Sequence, residues 1–221
     1  MVHVHERFSA IILAAGQSAR MKDLGPKGLL DYKGEPWLLY QIKRLWTCGI
    51  ESIVVVLGAG HEKYFSEMKE LSLTRQESIN FGAGPEVRTV VNTHYERGQF
   101  SSLLLGLQHI DLSQIKGVFI LPVDVPCTTP AVMEIITNGM EESNIQACVP
   151  EYCGDGGHPV LLKKDFCGQL LRIDPVSPDA RLDRQLEHLG TKLKKIKVDC
   201  LRVTTNINTP ESWSEFLARK G

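Results

Sequence analysis

The sequence has no C-x-x-C pair, no surplus of basic residues and no long apolar run, and each absence removes a class of function. Its six cysteines, Cys48, Cys127, Cys148, Cys153, Cys167 and Cys200, are scattered, with no histidine at metal-ligand spacing. Neither a zinc cage nor a disulfide framework is indicated. They read as reduced, mostly buried thiols, and Cys127, just after Asp124-Val125-Pro126, is the one placed where a ligand could lie. A formal net charge of -1 over 221 residues provides no basic field for nucleic acid or an anionic membrane surface. No stretch reaches the roughly 18 apolar residues of a membrane span. The start, Met1 to Arg7, carries two histidines and no apolar core of secretory length. The expected setting is the cytoplasm, and the expected partner is small.

Repeats, linkers and low-complexity segments are absent as well. Hydrophobic residues at 43% and charged residues at 23% match a folded domain with a sizeable core, so overall disorder is excluded. The length suits one α/β domain spanning residues 1–221.

What is present is a βαβ rhythm. Phe8 to Leu13 is an apolar, partly β-branched run ending at Ala14-Ala15-Gly16, which predicts a buried central strand before a glycine turn. From Gly16 to Glu35 no helical period appears, and loops of this length inside a compact domain are often functional. Pro36 suits a helix start, and Leu38, Leu39, Ile42, Leu45 and Trp46 recur at helical spacing. Further strands are predicted at Ile53 to Leu57, Val87 to Val91, Gly117 to Leu121, Ile145 to Val149, Val160 to Leu162 and Lys195 to Val198. Helices are predicted at His61 to Leu71, Ser101 to Ile110, Ala131 to Met140, Asp165 to Arg172, Asp179 to Leu189 and after Pro210. This alternation predicts a three-layer α/β/α sandwich with a mostly parallel, Rossmann-like sheet. In such sheets ligands sit beyond the carboxyl ends of the strands. The loops after strand one, after Val91, after Leu121 and near His158 should therefore share one cleft.

Those loops hold the chemistry. Leu13, Ala14, Ala15 and Gly16 are small or apolar and let main-chain N–H groups approach a base edge or a phosphate, while Arg20 and Lys27 supply two fixed charges for a triphosphate. The segment is neither a Walker A loop nor a G-x-G-x-x-G turn. Asp124, directly after a buried strand and followed by Pro126, suits Mg²⁺, which takes one or two carboxylates plus phosphate oxygens and waters; an aspartate there can equally cap a turn. Ser101 or Ser102 is predicted to N-cap a helix and to offer an anion seat. His158, in Gly156-Gly157-His158-Pro159-Val160, stands at a strand mouth where it can contact an acceptor or serve a purely structural role.

Taken together, these pieces resemble the molybdenum-cofactor nucleotidyltransferases, within the wider nucleotide-sugar pyrophosphorylase fold. The resemblance covers nearly the whole chain. It rests on the ordered segments Leu13 to Met21 with Gly25-Pro26-Lys27, Gly98 to Gly106, Leu121 to Pro126, Gly157-His158-Pro159-Val160 and Asn206-Ile207-Asn208-Thr209-Pro210-Glu211. It implies an NTP in the first loop with Ser101 beside it, Lys27 and Arg20 on its phosphates, and Mg²⁺ on Asp124 with a second metal-side residue at Asn206 or Asn208. Ser102 and His158 would face the acceptor. Asn-Ile-Asn-Thr-Pro is similar to the guanylyl-transferring branch, whereas Ala14-Ala15-Gly16, Ser101 to Leu105 and Gly-His-Pro-Val are similar to the cytidylyl branch, so CTP is favoured over GTP. One departure is Met21-Lys22-Asp23-Leu24, where the family usually has a glycine directly after the methionine.

The implied reaction is in-line attack of an acceptor phosphate, molybdopterin by resemblance, on the α-phosphorus with loss of pyrophosphate. A molybdoenzyme or its chaperone would then be a partner. A pyrophosphorylase acting on a sugar phosphate or another phosphorylated alcohol is the nearest rival. A catalytically weak nucleotide-binding regulator is the rival from another class.

Overall fold

The computed structural model describes residues 7–219, so residues 1–6, on which the reading of the N-terminal start depends, lie outside the described residues. Strand β1 (Phe8–Ala14) lies at the centre of the main sheet, flanked in parallel by β4 (Ser52–Leu57) on one side and β7 (Gly117–Pro122) on the other. A strand covered on both faces reads as a nearly continuous apolar run rather than an alternating one. Residues Ser9 to Ala14 are accordingly all buried.

Outward from β4 come β6 (Glu86–Val91), parallel, and the short antiparallel β5 (Ile79–Asn80). On the other side β7 pairs antiparallel with β10 (Val160–Lys163), which in turn pairs antiparallel with β8 (Ala147–Tyr152). Parallel to β8 runs β11 (Leu193–Lys197), and β9 (Asp155–Gly156) folds back on it as a hairpin. The strand order is β11-β8-β10-β7-β1-β4-β6-β5. The centre is thus parallel, as the alternation predicts, while the β8–β10 half is antiparallel.

The helices form the two outer layers. Helices α1 (Trp37–Thr47), α5 (Pro130–Gly139) and α8 (Pro210–Ala218) bury one face through Leu38, Ile42, Ile136, Trp213 and Phe216. On the other face α4 (Gln99–Leu107), α6 (Lys164–Leu170) and α7 (Leu182–His188) pack through Phe100, Leu103, Phe166 and Leu170. The single helix expected over His61 to Leu71 is two, α2 (His61–Glu67) and α3 (Lys69–Leu73), broken at Met68, whose backbone leaves the helical region (φ -121, ψ 86) and whose side chain is buried. The stretch from Gly16 to Glu35 is not wholly irregular: it holds two 3₁₀ turns, Ala19–Leu24 and Lys27–Leu29, and a small hairpin of β2 (Asp31–Tyr32) with β3 (Glu35–Pro36). Of the six free thiols, Cys127, Cys148 and Cys167 are buried, Cys48 and Cys200 half-buried, and Cys153 exposed.

No helix among the described residues is long and apolar enough to cross a membrane. The topology itself locates a crevice. The chain leaves β1 toward β4 and β6, then returns to the opposite side of β1 as β7, so the loops after β1 and β7 diverge from a switch point. Leu13 lies beside Pro122 there, and the Val123 N–H donates to the Leu13 carbonyl at 3.0 Å.

Candidate active site

Lys27 stands at the centre of this crevice. Its Nζ donates to Asp124 Oδ2 at 3.0 Å and to Asn208 Oδ1 at 2.6 Å, and Arg20 Nη2 donates to the same Asn208 oxygen at 3.2 Å. Residues nearly two hundred positions apart in sequence are thereby brought to one point. Two cations against one carboxylate leave the group with one formal positive charge, suited to a polyanion; an aspartate in place of Asn208 would cancel it.

The fold holds each member by its backbone. Lys27 lies in a turn whose own N–H donates to Ser18 Oγ, and the next residue, Gly28, donates to Tyr64 Oη at 3.1 Å. A Cβ on Gly28 would come within 2.7 Å of the Tyr64 ring, so this contact demands glycine. Burial pushes the Tyr64 hydroxyl up to about 12, which keeps it a neutral hydrogen-bonding group. The segment carrying Asp124 is pinned by two fully buried α1 side chains. Trp37 Nε1 donates to the Val123 carbonyl at 2.6 Å, while Gln41 donates to the Val125 carbonyl at 2.6 Å and accepts from the Cys127 N–H at 2.8 Å. The Asp124 carbonyl accepts from the Ile207 N–H at 2.7 Å, tying in the C-terminal segment. Asn208 is set by the cap of α8, where Ser212 Oγ accepts from the Asn208 and Thr209 N–H groups, both at 3.0 Å.

Two adjoining cavities open here. The smaller, of about 240 Å³, is lined by Leu13, Ala14, Ala15, Gly16, Lys27 and Asp124, together with Ser18, Tyr95, Gly98, Gln99, Ser102 and Val123. The larger, of about 610 Å³, holds His158 and reaches to α7. Leu13, Gly98 and Gln99 line both. The four loops singled out in the sequence do converge.

Three site expectations are corrected. Neither Ser101 nor Ser102 caps α4: the N-cap is Gly98, with φ +90, and both serines lie inside the first turn. Ser101 Oγ instead donates to the Gly98 carbonyl at 2.8 Å, and it lines neither cavity. Ser102, read as facing the acceptor, is buried on the wall of the smaller cavity and accepts from Asn92 Nδ2 at 2.9 Å. Asn206 is exposed and spends its amide on the Thr204 carbonyl at 3.2 Å, so of the two asparagines only Asn208 joins Lys27. Lys27 reaches Asp124 despite the departure at Met21-Lys22-Asp23-Leu24; Met21 is fully buried.

Ser18, Tyr95, Gln99, Asn92 and Gln41 were missed by the sequence reading. Only Ser18 has unusual backbone, φ +52, and nothing in composition announces that. Around His158, burial lowers the imidazole pKa below its ordinary value, partly offset by a hydrogen bond to the Ile120 backbone and by the charge of Asp124. Its Nδ1 is buried without a partner. The His158 N–H donates to the Val203 carbonyl at 2.8 Å, and the preceding Gly157 fits so closely that a Cβ there would lie 2.2 Å from that same carbonyl oxygen.

A divalent ion fits the oxygens present. Asp124 offers a carboxylate and Asn208 an amide oxygen, both hard donors within reach of one Lys27 nitrogen. Among the described residues no group of three or more His, Cys, Asp or Glu forms a closed cage. An ion here would draw its remaining ligands from phosphate and water, as Mg²⁺ commonly does.

Residues 10–194 match the family model described as the MobA-like NTP transferase domain. The bifunctional protein GlmU of Sorangium cellulosum is 29% identical over 169 residues, covering 75% of this chain and 33% of that protein. The chain therefore spans about a third of the length of that curated relative, and less of others it matches. Among solved structures, the manganese complex of Rv0371c from Mycobacterium tuberculosis superposes with a TM-score of 0.69 at 20% identity, covering 96% of this chain and 99% of that one. A putative glucose-1-phosphate thymidylyltransferase from Bacillus anthracis gives a TM-score of 0.75 at 14% identity, covering 97% and 96%. At these identities the structural matches support the three-layer fold.

Proposed function

This chain belongs to the MobA-like NTP transferase family, and from that premise we propose that it moves a nucleoside monophosphate from an NTP to a phosphorylated acceptor, releasing pyrophosphate. The observation that carries this reading is the convergence of Lys27, Arg20, Asn208 and Asp124, of which Lys27 and Asp124 line a cavity that adjoins a second one.

In this reading the main-chain N–H groups of Ala14 to Gly16 hold the nucleotide in the smaller cavity, with Leu13 and Ser102 on its wall. Lys27 and Arg20 neutralise the triphosphate. Attack is in line: the acceptor phosphate oxygen forms a bond to the α-phosphorus as the bond to the β-phosphate bridge oxygen breaks, and pyrophosphate leaves with that electron pair. The acceptor phosphate is already ionised at neutral pH, so no dedicated base and no covalent intermediate is required. Asp124 and Asn208 would hold Mg²⁺ or Mn²⁺, which when bound spreads positive charge over the phosphoryl oxygens. His158, neutral in its buried setting, orients the acceptor in the larger cavity.

CTP is favoured over GTP as donor and molybdopterin as acceptor, both on the strength of the sequence resemblance, with a molybdoenzyme or its chaperone as the receiving partner. A second reading, transfer to a sugar phosphate or another phosphorylated alcohol, draws support from the GlmU relatives and the thymidylyltransferase-like fold. Purified protein incubated with each NTP, Mg²⁺ or Mn²⁺ and a panel of phosphorylated acceptors should release pyrophosphate with one donor–acceptor pair. Nucleotide-dependent thermal stabilisation without release from any pair would replace the enzyme with a nucleotide-binding regulator.

A further inference from the structure

Two cysteines that nucleotidyl transfer does not use meet just past Asp124. Cys48 is the C-cap of α1 and half-buried, while Cys127 is fully buried in the segment that follows Asp124. Far apart in sequence, their thiols hydrogen-bond to each other. Cys48 Sγ also donates to the carbonyl of Thr128, the residue after Cys127, at 3.9 Å.

The surroundings favour a thiolate at the accessible member. Arg44, one helical turn before Cys48, donates from Nη2 to the same Thr128 carbonyl at 3.0 Å and leaves its buried Nε without a partner. Arg202 keeps Nη1 buried and unpartnered, and its charge acts on Cys127. Neither guanidinium has a carboxylate partner among the described residues. The hydrogen bond with Cys127, helped by the charge of Arg44 and opposed by burial, holds the Cys48 thiol below its ordinary range. The same hydrogen bond and near-complete burial push Cys127 well above its own. An accessible, thiolate-prone cysteine beside a second thiol is the arrangement that peroxides oxidise. Cys153, the exposed thiol, hydrogen-bonds the Tyr152 phenol and has no such partner.

We propose that Cys48 and Cys127 form an oxidation site whose disulfide weakens nucleotide binding by moving the Asp124 segment. The oxidation stands without the nucleotidyl-transfer reading, and its effect on the nucleotide rests on that reading. With hydrogen peroxide as oxidant, the Cys48 thiolate attacks one peroxide oxygen. The O–O bond breaks, and hydroxide leaves with its electron pair and takes up the proton the thiol had released. The Cys127 sulfur then attacks the sulfur of the resulting sulfenic acid. An S–S bond forms, the S–O bond breaks, and the departing hydroxide takes the Cys127 proton, so two thiols are oxidised and peroxide is reduced to water. A disulfide holds its sulfurs about 2 Å apart, well inside the separation of two hydrogen-bonded thiols. Cys127 must therefore be drawn toward α1. Its N–H hangs from Gln41 beside the Val125 carbonyl, so the pull passes along Val125 to Asp124, whose carboxylate stands against Lys27.

The test maps the bond and reads binding separately. Reduced protein treated with one equivalent of hydrogen peroxide, alkylated after denaturation and digested should yield a linked Cys48–Cys127 peptide, with the six free thiols reduced by two. Calorimetry with Mn²⁺ and whichever of CTP and GTP binds the reduced protein should show affinity falling about tenfold on oxidation, the worth of one misplaced charged contact. Dithiothreitol should restore it. Cys48→Ala should bind the nucleotide as the reduced parent does and lose nothing on oxidation, whereas Cys153→Ser should keep the full response. Oxidation of Cys153 with Cys48 and Cys127 left reduced, or a linked pair with unchanged nucleotide affinity, would overturn the proposal. A reduced protein that binds no nucleotide yet forms the link would instead remove the nucleotide reading and leave the oxidation site standing.

Discussion

Replacing Gln41 with methionine should damage the site from a distance. Gln41 is fully buried, near-isosteric with methionine, and touches neither cavity; its work is to hold the Val125 carbonyl and the Cys127 N–H on either side of Pro126. Methionine fills the space and satisfies neither group. Each buried backbone group left unpaired costs about 1 to 3 kcal/mol, so a loss of roughly 2 to 6 kcal/mol is expected when the two are summed. At about 3 °C per kcal/mol for a chain of this size, that corresponds to a fall in Tm of about 6 to 18 °C. The Asp124 segment would also lose two of its anchors, and displacement of a catalytic group by about 1 Å can cost on the order of a hundredfold in rate. Thermal unfolding with and without CTP, followed by pyrophosphate release at a temperature where the variant is folded, measures both effects. A Gln41→Met variant melting within about 1 °C of the parent with unchanged turnover would refute the claim that α1 positions the Asp124 segment.

Gly157→Ala places a Cβ against the Val203 carbonyl, so the 201–208 segment must move; a loss of about 1 to 3 kcal/mol in urea unfolding and weaker nucleotide binding are expected. Retained nucleotide affinity would separate Val203 from the placement of Asn208. His158 has a folded-state pKa below its unfolded value of about 6.5. The unfolded chain then binds more protons, and the stability from this residue is present above about pH 6.5 and lost as pH falls toward the folded value. His158→Gln should therefore lose less stability than the parent between about pH 7.5 and pH 5, as read from urea midpoints; an equal loss in both would show that His158 does not set the acid limb.

The central strands and the loops that follow them were legible because a doubly covered strand is apolar nearly throughout, as Ala10 to Leu13 and Gly117 to Leu121 are. The direction of β10 was not: a three-residue apolar run, Val160 to Leu162, carries no record of its partner, and its antiparallel pairing with β7 and β8 is set by the return of the chain through β9. Lys27 and Asp124 were visible as charges flanked by turn residues. Gln41 was not, since an amide inside an apolar helical stripe reads as a surface position until the backbone groups it satisfies are known. Asn206 and Asn208 flank the same buried Ile207 and look equivalent in sequence. What separates them is the α8 capping box, which holds the Asn208 backbone and leaves Asn206 to the Thr204 carbonyl. The serines of α4 were misassigned as caps because Gly98, a residue without a side-chain oxygen, starts the helix instead.

The claim on which the rest depends is that Lys27 and Asp124 act on the same bound metal–nucleotide. A double-mutant cycle on the affinity for CTP with Mn²⁺, comparing the parent, Lys27→Ala, Asp124→Ala and the double variant, measures this most directly. The account predicts strongly non-additive losses, with a coupling of at least about 1 kcal/mol, because the two side chains are in contact at 3.0 Å. Losses that add within about 0.3 kcal/mol would contradict it.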